Sequence, residues 1–233
     1  AIKYLLFNLQ CQKTLYTSKT CGFLEQREYM PKKMTSTKDP TRKPGVARHR
    51  EIIEAAEALI REGISPRDLT LQAVATQASV PRVSLYYFFS SIEALLEVLY
   101  QRALNKMIGE LGEIPDTSEW RVFIESVLDQ TRKFYNTNPL EMALVLSPST
   151  FSISNQTNRD YGQVLYKTMV NSIGLPKSQK LHQACDIGIE IAHAVWRKSF
   201  VEKGKVTAAL HTQAKKVVLS YLESVLEQTE RDN

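Results

Sequence analysis

The spacing of apolar residues from Val46 onward restricts the fold of this chain more than any other feature. In the stretch REIIEAAEALIREG they recur every three or four positions, at Ile52, Ala55, Ala56, Leu59 and Ile60. That period is typical of an amphipathic helix, and it continues almost to the C-terminus. No stretch alternates apolar and polar residues in the manner of a half-buried strand. The sequence therefore predicts an all-α fold.

Short local signals predict where the first helices begin and end. Gly63 ends the first helix, and Thr70 caps a second helix at 71–78. Pro81 is expected at the first position of a two-turn helix, where its missing N–H costs nothing. Ser90 opens the sequence S-x-x-E, a capping box that predicts Ser90 as the N-cap of the long helix that follows.

Further helices are expected in the C-terminal part of the chain. Their boundaries follow from Pro139, Gly174 and Gly204, and from the segment SPSTFSISN, which is predicted to be a loop. The predicted ranges are 118–136, 139–147, 156–173, 178–202 and 206–229.

Basic residues are concentrated between residues 30 and 50. Seven lysines and arginines lie there against one carboxylate, Asp39, although the whole chain has a formal charge of +5. The segment is rich in Pro, Thr and Ser and has no helical period. Residues 1–45 are therefore predicted to form a basic, disordered arm able to follow a polyanion, and a solubilising tail fits the charge equally well.

The second and third helices, separated by a tight turn, have the outline of a helix-turn-helix. Small residues in the second helix allow the third to cross it closely. In the third helix Arg82, Ser84 and Tyr87 lie away from the inward side of Leu85. An arginine can bind guanine through two hydrogen bonds, and a hydroxyl can bind a base or a phosphate. These side chains are therefore candidates for contact with DNA.

The stretch from about residue 46 to residue 100 resembles the DNA-binding domain of the tetracycline-repressor (TetR) family. It carries the I-x-x-A-A pattern in the first helix, the Thr that opens the second, and Leu-Tyr near the end of the third. The resemblance implies a helix-turn-helix domain at 46–91. It also implies a larger helical domain for ligand binding and dimerisation at 92–233.

The resemblance assigns DNA contacts to residues in and just before the two helices. Positions 82–84 correspond to residues that face the major groove, and Tyr86 corresponds to a tyrosine whose hydroxyl meets a phosphate. Phe89 matches a buried aromatic that holds the third helix to the fourth. The implied contact residues are Thr70, Gln72, Arg82, Val83, Ser84, Tyr86 and Tyr87.

Some positions depart from the family pattern. Ser79 replaces the turn glycine, so a residue with a Cβ is expected in a left-handed conformation. Pro81 replaces the turn serine and removes its cap, for which Ser79 could substitute. Val83 would offer an apolar contact to a thymine methyl group. Ile92 replaces a lysine that usually meets a phosphate, which removes one charge contact.

The aromatic run Tyr86-Tyr87-Phe88-Phe89 cannot point entirely inward. Residues of a helix are about 100° apart, so four in succession cover all of its sides. We expect Phe89 in the core, Phe88 at least partly buried, and the two tyrosines facing outward.

Aromatic residues of the C-terminal helices are expected to be core residues in the main. In the family, some of them line a cavity that accepts an apolar or aromatic inducer. The candidates here are Trp120, Phe123, Tyr135, Tyr161, Tyr166 and Trp196.

The last two helices carry apolar stripes. In the family the corresponding pair forms a four-helix dimer interface, whereas the residues alone would suggest core. The stripes comprise Ile187, Ile191, Ala194 and Val195, and Val218, Tyr221, Leu222 and Val225.

Neither a catalytic site nor a metal site is predicted. Glu190 and His193 have the Glu-x-x-His spacing of di-iron bundles, but a second pair is missing. His182 and Cys185 supply only two ligands. The sequence contains none of the glycine-rich loops that bind phosphates or present a nucleophile. We therefore expect no enzyme activity and no cofactor.

The expected function is that of a cytoplasmic transcriptional regulator. Three unpatterned cysteines fit a reducing compartment, and no apolar stretch is long enough to span a membrane. The resemblance implies a homodimer that binds a pseudo-palindromic operator in double-stranded DNA and represses transcription until a small-molecule inducer enters its cavity. Two alternatives are a protein–protein adaptor whose DNA-binding head has lost its function and a metal-binding helical enzyme.

Overall fold

The computed structural model describes residues 43–111 and 117–231, apart from the side chains of Lys43, residues 151–160 and Glu230. Nearly all of the described residues are helical. Nine α-helices follow one another in these ranges: α1 (Lys43–Arg61), α2 (Leu71–Gln77), α3 (Arg82–Phe88), α4 (Ile92–Glu110), α5 (Trp120–Thr137), α6 (Pro139–Leu146), α7 (Phe151–Asn171), α8 (Gln179–Lys203) and α9 (Ala208–Arg231). The described residues form no β-strand, which confirms the all-α class. None of these helices is both long and apolar enough to cross a bilayer.

The start of α1 and the cap of α4 differ from the sequence-based expectation. α1 begins at Lys43, three residues before Val46, and places Pro44 in its first turn, where proline is tolerated. The rest of the predicted basic arm, residues 1–42, lies outside the described residues. Ser91, not Ser90, is the N-cap of α4, because its extended backbone lets its Oγ accept the N–H of Ala94 at 3.3 Å.

The loop predicted for the segment SPSTFSISN is shorter in the structure, because α7 already begins at Phe151 within this segment. Ser147 O accepts the N–H and the hydroxyl of Thr150 at 3.2 and 2.9 Å, and Ser147 Oγ lies 2.7 Å from Ser149 Oγ. These short-range bonds tighten the segment into a single 3₁₀ turn that leads directly into α7. The prediction of a loop up to residue 155 was wrong because hydroxyl side chains satisfy the backbone here.

α4 is the helix around which much of the core is built. Leu95, Leu99, Tyr100 and Met107 on this helix are each at most 1% exposed. α1, α5, α6 and α7 all contact it. Because fully burying a large apolar side chain contributes about 1.5–3 kcal/mol, these residues are a main source of stability.

Ion pairs accompany the apolar packing of α4. Arg102 Nε donates to Glu57 Oε1 of α1 at 3.1 Å, and Lys106 Nζ donates to Glu141 Oε1 of α6 at 2.7 Å. Lys106 also donates to Asn138 Oδ1 at 2.8 Å. The basic groups are about half exposed, so each pair is expected to contribute no more than about 1 kcal/mol.

α8 and α9 pack along one another and are joined by a short loop. Val206 in this loop is buried, and its backbone exchanges two hydrogen bonds with the side-chain amide of Asn136 on α5, at 2.9 and 3.0 Å. Ser199 Oγ donates to Lys205 O at 2.8 Å and accepts the N–H of Thr207 at 2.9 Å. The loop is therefore held both by α5 and by the end of α8.

α7 approaches α8 closely at Gly162. A Cβ on this residue would lie 1.8 Å from Asp186 Oδ1 and 3.1 Å from Asp186 Cα. Both distances are shorter than ordinary van der Waals contact. A side chain at position 162 would therefore force the side chain of Asp186 to move and the two helices to separate slightly.

Gly162→Ala is expected to lower the free energy of unfolding by about 1–3 kcal/mol, because the added methyl group collides with Asp186. Gly109→Ala is the matched control, since no atom lies within 4 Å of the position of its Cβ in α4. This control is expected to gain up to about 1 kcal/mol from helix propensity. Urea unfolding measures both changes. A Gly162→Ala variant as stable as the wild type would contradict the close approach.

Candidate DNA interface and ligand cavity

The turn between α2 and α3 fixes how these two helices meet. Ser79 has a φ of 52°, the left-handed conformation predicted from the sequence. The N–H of Val80 donates to Ala75 O at 3.0 Å, and the N–H of Ser79 donates to Thr76 O at 3.1 Å. This pair of bonds closes a helix in a Schellman motif. The turn therefore forms without glycine, at a cost of about 1 kcal/mol for the Cβ.

α3 begins at Arg82, one residue later than predicted. Pro81 is its N-cap, with φ −59° and ψ 140°, and Pro81 O accepts the N–H of Leu85 at 3.2 Å. The extended ψ angle keeps Pro81 itself outside the helix. No side chain caps this end of α3, so Ser79 does not replace the missing cap.

Aromatic contacts to α1 hold the inner side of α3. Phe89 is fully buried, and its ring stacks on the imidazole of His49 with centroids 5.0 Å apart and an angle of 18°. Phe88 is also buried and meets the same imidazole edge-on at 5.7 Å. The burial of both phenylalanines agrees with the prediction. His49 was not predicted to take part in this packing, although it shares a helix face with the buried Ile53.

The outer side of α3 is exposed to solvent. Val83 is 83% exposed, Tyr86 49% and Tyr87 58%. Arg82 is exposed as well, whereas Ser84 is half-buried. The helix therefore separates its aromatic run into a buried half and an exposed half, and it presents cationic, apolar and phenolic groups together.

α2 adds candidates near its own N-terminus. Thr70 is the N-cap, as predicted, and its Oγ1 accepts the N–H of Ala73 at 3.2 Å. The hydroxyl hydrogen of Thr70 can still donate to another acceptor. Gln72 is exposed in the first turn. Apart from the half-buried Ser84, the predicted DNA-contact residues thus lie on exposed parts of two helices that pack against each other.

Ile92 takes part in packing at the start of α4. Its side chain is half-buried and contacts the apolar core. A lysine at this position would offer its charge to solvent, whereas the isoleucine contributes apolar area to the junction between α3 and α4. With isoleucine in place of lysine at position 92, the chain therefore gains apolar packing and lacks a positive charge at the start of α4.

A cavity of about 40 Å³ lies among four helices of the C-terminal part. α5, α7, α8 and α9 supply its lining, which is mainly aliphatic. The lining residues that carry a polar atom or sulfur are Thr131, Tyr161, Cys185, His193 and Trp196. This composition suits an apolar molecule with few polar groups.

Comparison with known protein families identifies the region around the helix-turn-helix. Residues 52–99, which include α2, the turn at Ser79 and α3, match the model of the family described as bacterial regulatory proteins, tetR family. The segment from the middle of α1 to α4 is therefore similar to this family. The match confirms the resemblance inferred from the sequence and supports a role as a DNA-binding transcriptional regulator.

A solved structure gives a second comparison for this chain. It is similar to the crystal structure of a TetR-family transcriptional regulator from Streptomyces coelicolor, with a TM-score of 0.58 and 21% sequence identity. The similarity covers 76% of this chain and 99% of that one. At this identity the likeness concerns the fold alone. No curated protein matches the chain with significance.

Two of the six predicted ligand residues line the cavity, namely Tyr161 and Trp196. Tyr135 is one contact away, because its hydroxyl lies 3.2 Å from Nε2 of the lining residue His193. The helices thus bring these three predicted side chains to one region.

The other three predicted ligand residues are not part of this lining. Phe123 is buried in the core. Trp120 is half-buried, with the guanidinium of Arg121 4.9 Å from its ring centroid. The ring of Tyr166 lies 4.9 Å from that of His182 on α8.

Thr131, Cys185 and His193 also line the cavity, although the sequence did not mark them as candidate ligand residues. Each lies on an otherwise apolar face of its helix. A polar residue or cysteine in such a position was the only sequence signal that could have indicated a cavity-lining residue. Thr131 Oγ1 donates to Val127 O at 2.8 Å, and Cys185 Sγ donates to Met169 Sδ at 3.6 Å. Which apolar faces meet around a cavity depends on tertiary packing, so the signal alone does not separate lining residues from core residues.

Burial leaves the titratable groups of the cavity uncharged at neutral pH. It lowers the pKa of His193 to about 3, with a further contribution from the nearby Arg197. Burial also raises the pKa of Tyr161 to about 12. The pKa of the Cys185 thiol is raised to about 12 by burial and by the charge of Asp186.

A second buried histidine links the cavity wall to the surface. The ring of Trp196 stacks on that of His211, with centroids 5.7 Å apart and an angle of 27°. His211 Nε2 lies 2.6 Å from Asp129 Oδ1, and Lys215 Nζ donates to Asp129 Oδ2 at 3.1 Å. Burial lowers the pKa of His211 despite this carboxylate. For Asp129, hydrogen bonds from His211 and Lys215 outweigh the effect of burial and lower its pKa.

The metal-site candidates of the sequence are engaged in other contacts. Within the described ranges, no group of three or more His, Cys, Asp and Glu side chains is arranged to bind a metal ion. Cys185 faces Met169, and His182 contacts Tyr166. Glu190 is half-buried one turn before the buried His193.

Acid is expected to destabilise the protein through His193. Its pKa is about 3 in the folded state, while an imidazole in the unfolded chain has a pKa near 6.5, so only the unfolded state takes up this proton between those values. The associated stability is complete above about pH 6.5 and decreases as the pH falls toward 3. The loss amounts to roughly 2 kcal/mol at pH 5.

Urea unfolding at pH 7 and pH 5 tests this expectation. His193→Gln should lose less stability between the two pH values than the wild type, by roughly the amount assigned to His193. His182→Gln, at a half-buried position on the same helix, is the control and should keep the wild-type difference. The same pH difference in all three proteins would contradict the role of His193.

Proposed function

We propose that the chain is a homodimeric, sequence-specific DNA-binding regulator in the cytoplasm, most simply a repressor that a small molecule releases from its operator. The observation that carries this proposal is the division of α3 into two sides. Phe88 and Phe89 anchor the helix through buried contacts, while Arg82, Val83 and Tyr86 project from the protein. A helix held in this way can enter a major groove without losing its own support.

The exposed groups of α3 suit different parts of DNA. The Arg82 guanidinium matches the O6 and N7 acceptors of guanine, and the Val83 methyl groups match the C5 methyl of thymine. The Tyr86 hydroxyl suits a phosphate oxygen, which fixes position without reading sequence. Thr70 and Gln72 extend the same surface from α2. Ser84 is half-buried, so it is expected to contribute less to DNA contact than the exposed residues of α3.

The outer face of α8 and α9 is the proposed dimer interface. Ile187 on α8 is 37% exposed and Val217 on α9 is 46% exposed, with the half-buried Ile191, Tyr221 and Val225 at helical spacing from them. Of the stripes described above, Val218 and Leu222 face inward and line the cavity. A two-fold dimer through the outer face would place two copies of α3 on one DNA, which implies a pseudo-palindromic operator.

The cavity is the proposed inducer site. Its helices α8 and α9 also supply the proposed dimer face, so a ligand between them can alter the separation of the two DNA-binding heads. Such a ligand acts only through its difference in affinity for the DNA-bound and released arrangements. This mechanism requires binding and not catalysis, and the chain is proposed to act as a regulator rather than as an enzyme.

Operator binding by α3 variants tests the DNA interface. Arg82→Ala is expected to weaken binding to the preferred operator by about 1–3 kcal/mol and to relax the preference at one base pair, because it removes a direct base contact. Tyr86→Phe should weaken binding to all sequences by a similar factor. Arg231→Ala, an exposed arginine on α9, is the matched control and should bind as the wild type does. Selection from a random DNA library followed by fluorescence anisotropy at fixed salt measures both properties.

An unchanged affinity and base preference in Arg82→Ala would contradict the assignment of α3 as the reading helix. Weak binding by the wild type that ignores both sequence and salt would favour the adaptor function, because phosphate contacts always make DNA binding salt-dependent.

The oligomeric state of two arginine variants tests the dimer face. Val217→Arg places a charge at the proposed interface of both subunits and is expected to raise the dimer dissociation constant by about 100-fold or more, since an unpaired charge is costly to bury. Val122→Arg is the control, because Val122 on α5 is 48% exposed, close to Val217. Sedimentation equilibrium measures both. Equal effects of the two variants, or none, would exclude this face.

A further inference from the structure

Val83 is the most exposed large apolar side chain among the residues whose side chains are described. It is 83% exposed, and Val201, which follows it, is 62% exposed. A side chain with so little buried area adds almost nothing to the stability of the fold. Valine is also a poorer helix former than alanine, so the helix itself gains nothing from it. The outward position of Val83 on α3 therefore favours a role in contact with a partner.

The neighbours of Val83 on the same side of α3 are groups that form hydrogen bonds. Tyr86 and Tyr87 follow it by three and four residues, which places them one turn along the helix, and both are exposed. Arg82 precedes it and is exposed as well. Val83 is thus the one member of this exposed set without a donor or an acceptor, and it forms an apolar spot within the candidate DNA interface.

The major groove offers an apolar side chain one kind of apolar partner. Among the edges of the four base pairs, the methyl group on C5 of thymine is the only apolar substituent. Over any other base, valine would remove water from a donor or an acceptor without replacing its hydrogen bond, which is unfavourable. 5-Methylcytosine carries the same methyl group at the same ring position. The chemistry that Val83 suits is therefore a C5-methylated pyrimidine.

Arg82 indicates where this pyrimidine lies. Arg82 and Val83 are consecutive residues in the first turn of α3, and the first turn of a reading helix contacts base edges. Their side chains point about 100° apart, so they reach different bases. The guanidinium of Arg82 matches the O6 and N7 acceptors of guanine. Because valine is short, the base that it reaches lies in the base pair next to that guanine.

The side chain of Val83 is held in a fixed position. A valine in a helix has one strongly preferred rotamer, because its Cβ is branched. α3 itself is anchored to α1 by the contacts of Phe88 and Phe89 with the ring of His49. Little conformational freedom is therefore lost when the two methyl groups meet a base, and a difference of one methyl group on the DNA is expected to change the affinity measurably.

We propose that Val83 reads the C5 methyl group of a pyrimidine in each half-site, in the base pair next to the guanine that Arg82 binds. 5-Methylcytosine can then take the place of thymine at this position, whereas unmodified cytosine binds more weakly. The inference rests on the proposed function, since it concerns the same contact of α3 with DNA. It adds a dependence on DNA methylation, because methylation of a cytosine at this position creates a better binding site.

Replacement of thymine by deoxyuridine tests the proposal, because deoxyuridine lacks only the methyl group. Each thymine of the operator selected from an unmodified random library is replaced in turn, and fluorescence anisotropy at fixed salt measures the affinity. At the position next to the guanine whose preference Arg82→Ala relaxes, we expect a loss of about four-fold in one half-site, which corresponds to roughly 0.8 kcal/mol for one buried methyl group. Replacement in both half-sites should cost about ten-fold or more.

A variant of Val83 shows whether this residue is the cause. Val83→Ser removes both methyl groups at nearly unchanged helix propensity, and the exposed position makes the fold insensitive to the change. It should reduce the ratio of thymine to deoxyuridine affinity to about 1.5-fold or less. Val122→Ser is the matched control, because Val122 on α5 is also exposed, and it should keep the wild-type ratio.

Methylated DNA supplies the second arm of the test. With a C·G pair in place of the same T·A pair, 5-methylcytosine should bind the wild type at least about three-fold more tightly than cytosine, and Val83→Ser should bind both equally. The proposal would be overturned by equal affinity for cytosine and 5-methylcytosine, by a selected operator without a methyl-dependent thymine next to that guanine, or by a thymine-to-deoxyuridine ratio that survives Val83→Ser.

The proposed function and this inference give different results when they fail. A wild-type protein that prefers no DNA sequence would reject the proposed function and the inference with it. A sequence preference that depends on Arg82 but not on the C5 methyl group would retain the proposed function and reject the inference alone.

Discussion

The burial of α4 by several helices at once is the constraint on which the rest of the structure depends. Its apolar residues, among them Leu95, Leu99 and Tyr100, are inaccessible to solvent because α1, α5, α6 and α7 cover them. The helix-turn-helix is attached to the same core through the stacking of Phe89 on His49. Neither the head nor the body has a separate apolar interior, since one cluster of buried residues includes members of both.

α6 places the two candidate sites in contact through packed side chains. It contacts α1 of the DNA-binding head, α4 and the cavity-lining α8. Glu141 on this short helix is buried and paired with Lys106 of α4. Because packed interiors do not deform continuously, a displacement of α8 by a ligand would have to be matched by a shift of α6 or α1.

Much of the DNA-binding region followed from the sequence because its signals are local. The left-handed Ser79, the cap at Thr70 and the burial of Phe89 each depend on a few neighbouring residues. The N-cap at Ser91 was missed by one position, because two serines fit the same pattern and only the backbone angles distinguish them. The early start of α7 was missed because the hydroxyl-rich segment before it forms a turn instead of a loop.

The C-terminal site was less predictable because it depends on which helix faces meet. Adjacent residues on a helix point about 100° apart, so Val217 is exposed while Val218 lines the cavity. An apolar stripe in the sequence does not show which of its residues are exposed and which line a cavity, because that depends on where the neighbouring helix packs. The same uncertainty applies to the aromatic candidates, of which Tyr161 and Trp196 reach the cavity and Phe123 does not line it.

The position of Trp196 gives the protein a natural optical label. The chain has two tryptophans, and they occupy different environments: Trp196 is buried in the cavity wall beside His193 and His211, whereas Trp120 is half-buried under Arg121. Indole emission responds to polarity and to nearby rings, so one component of the intrinsic fluorescence originates at the cavity itself. Events inside the helical body can therefore be followed in the unmodified protein, with Trp120 as an internal reference.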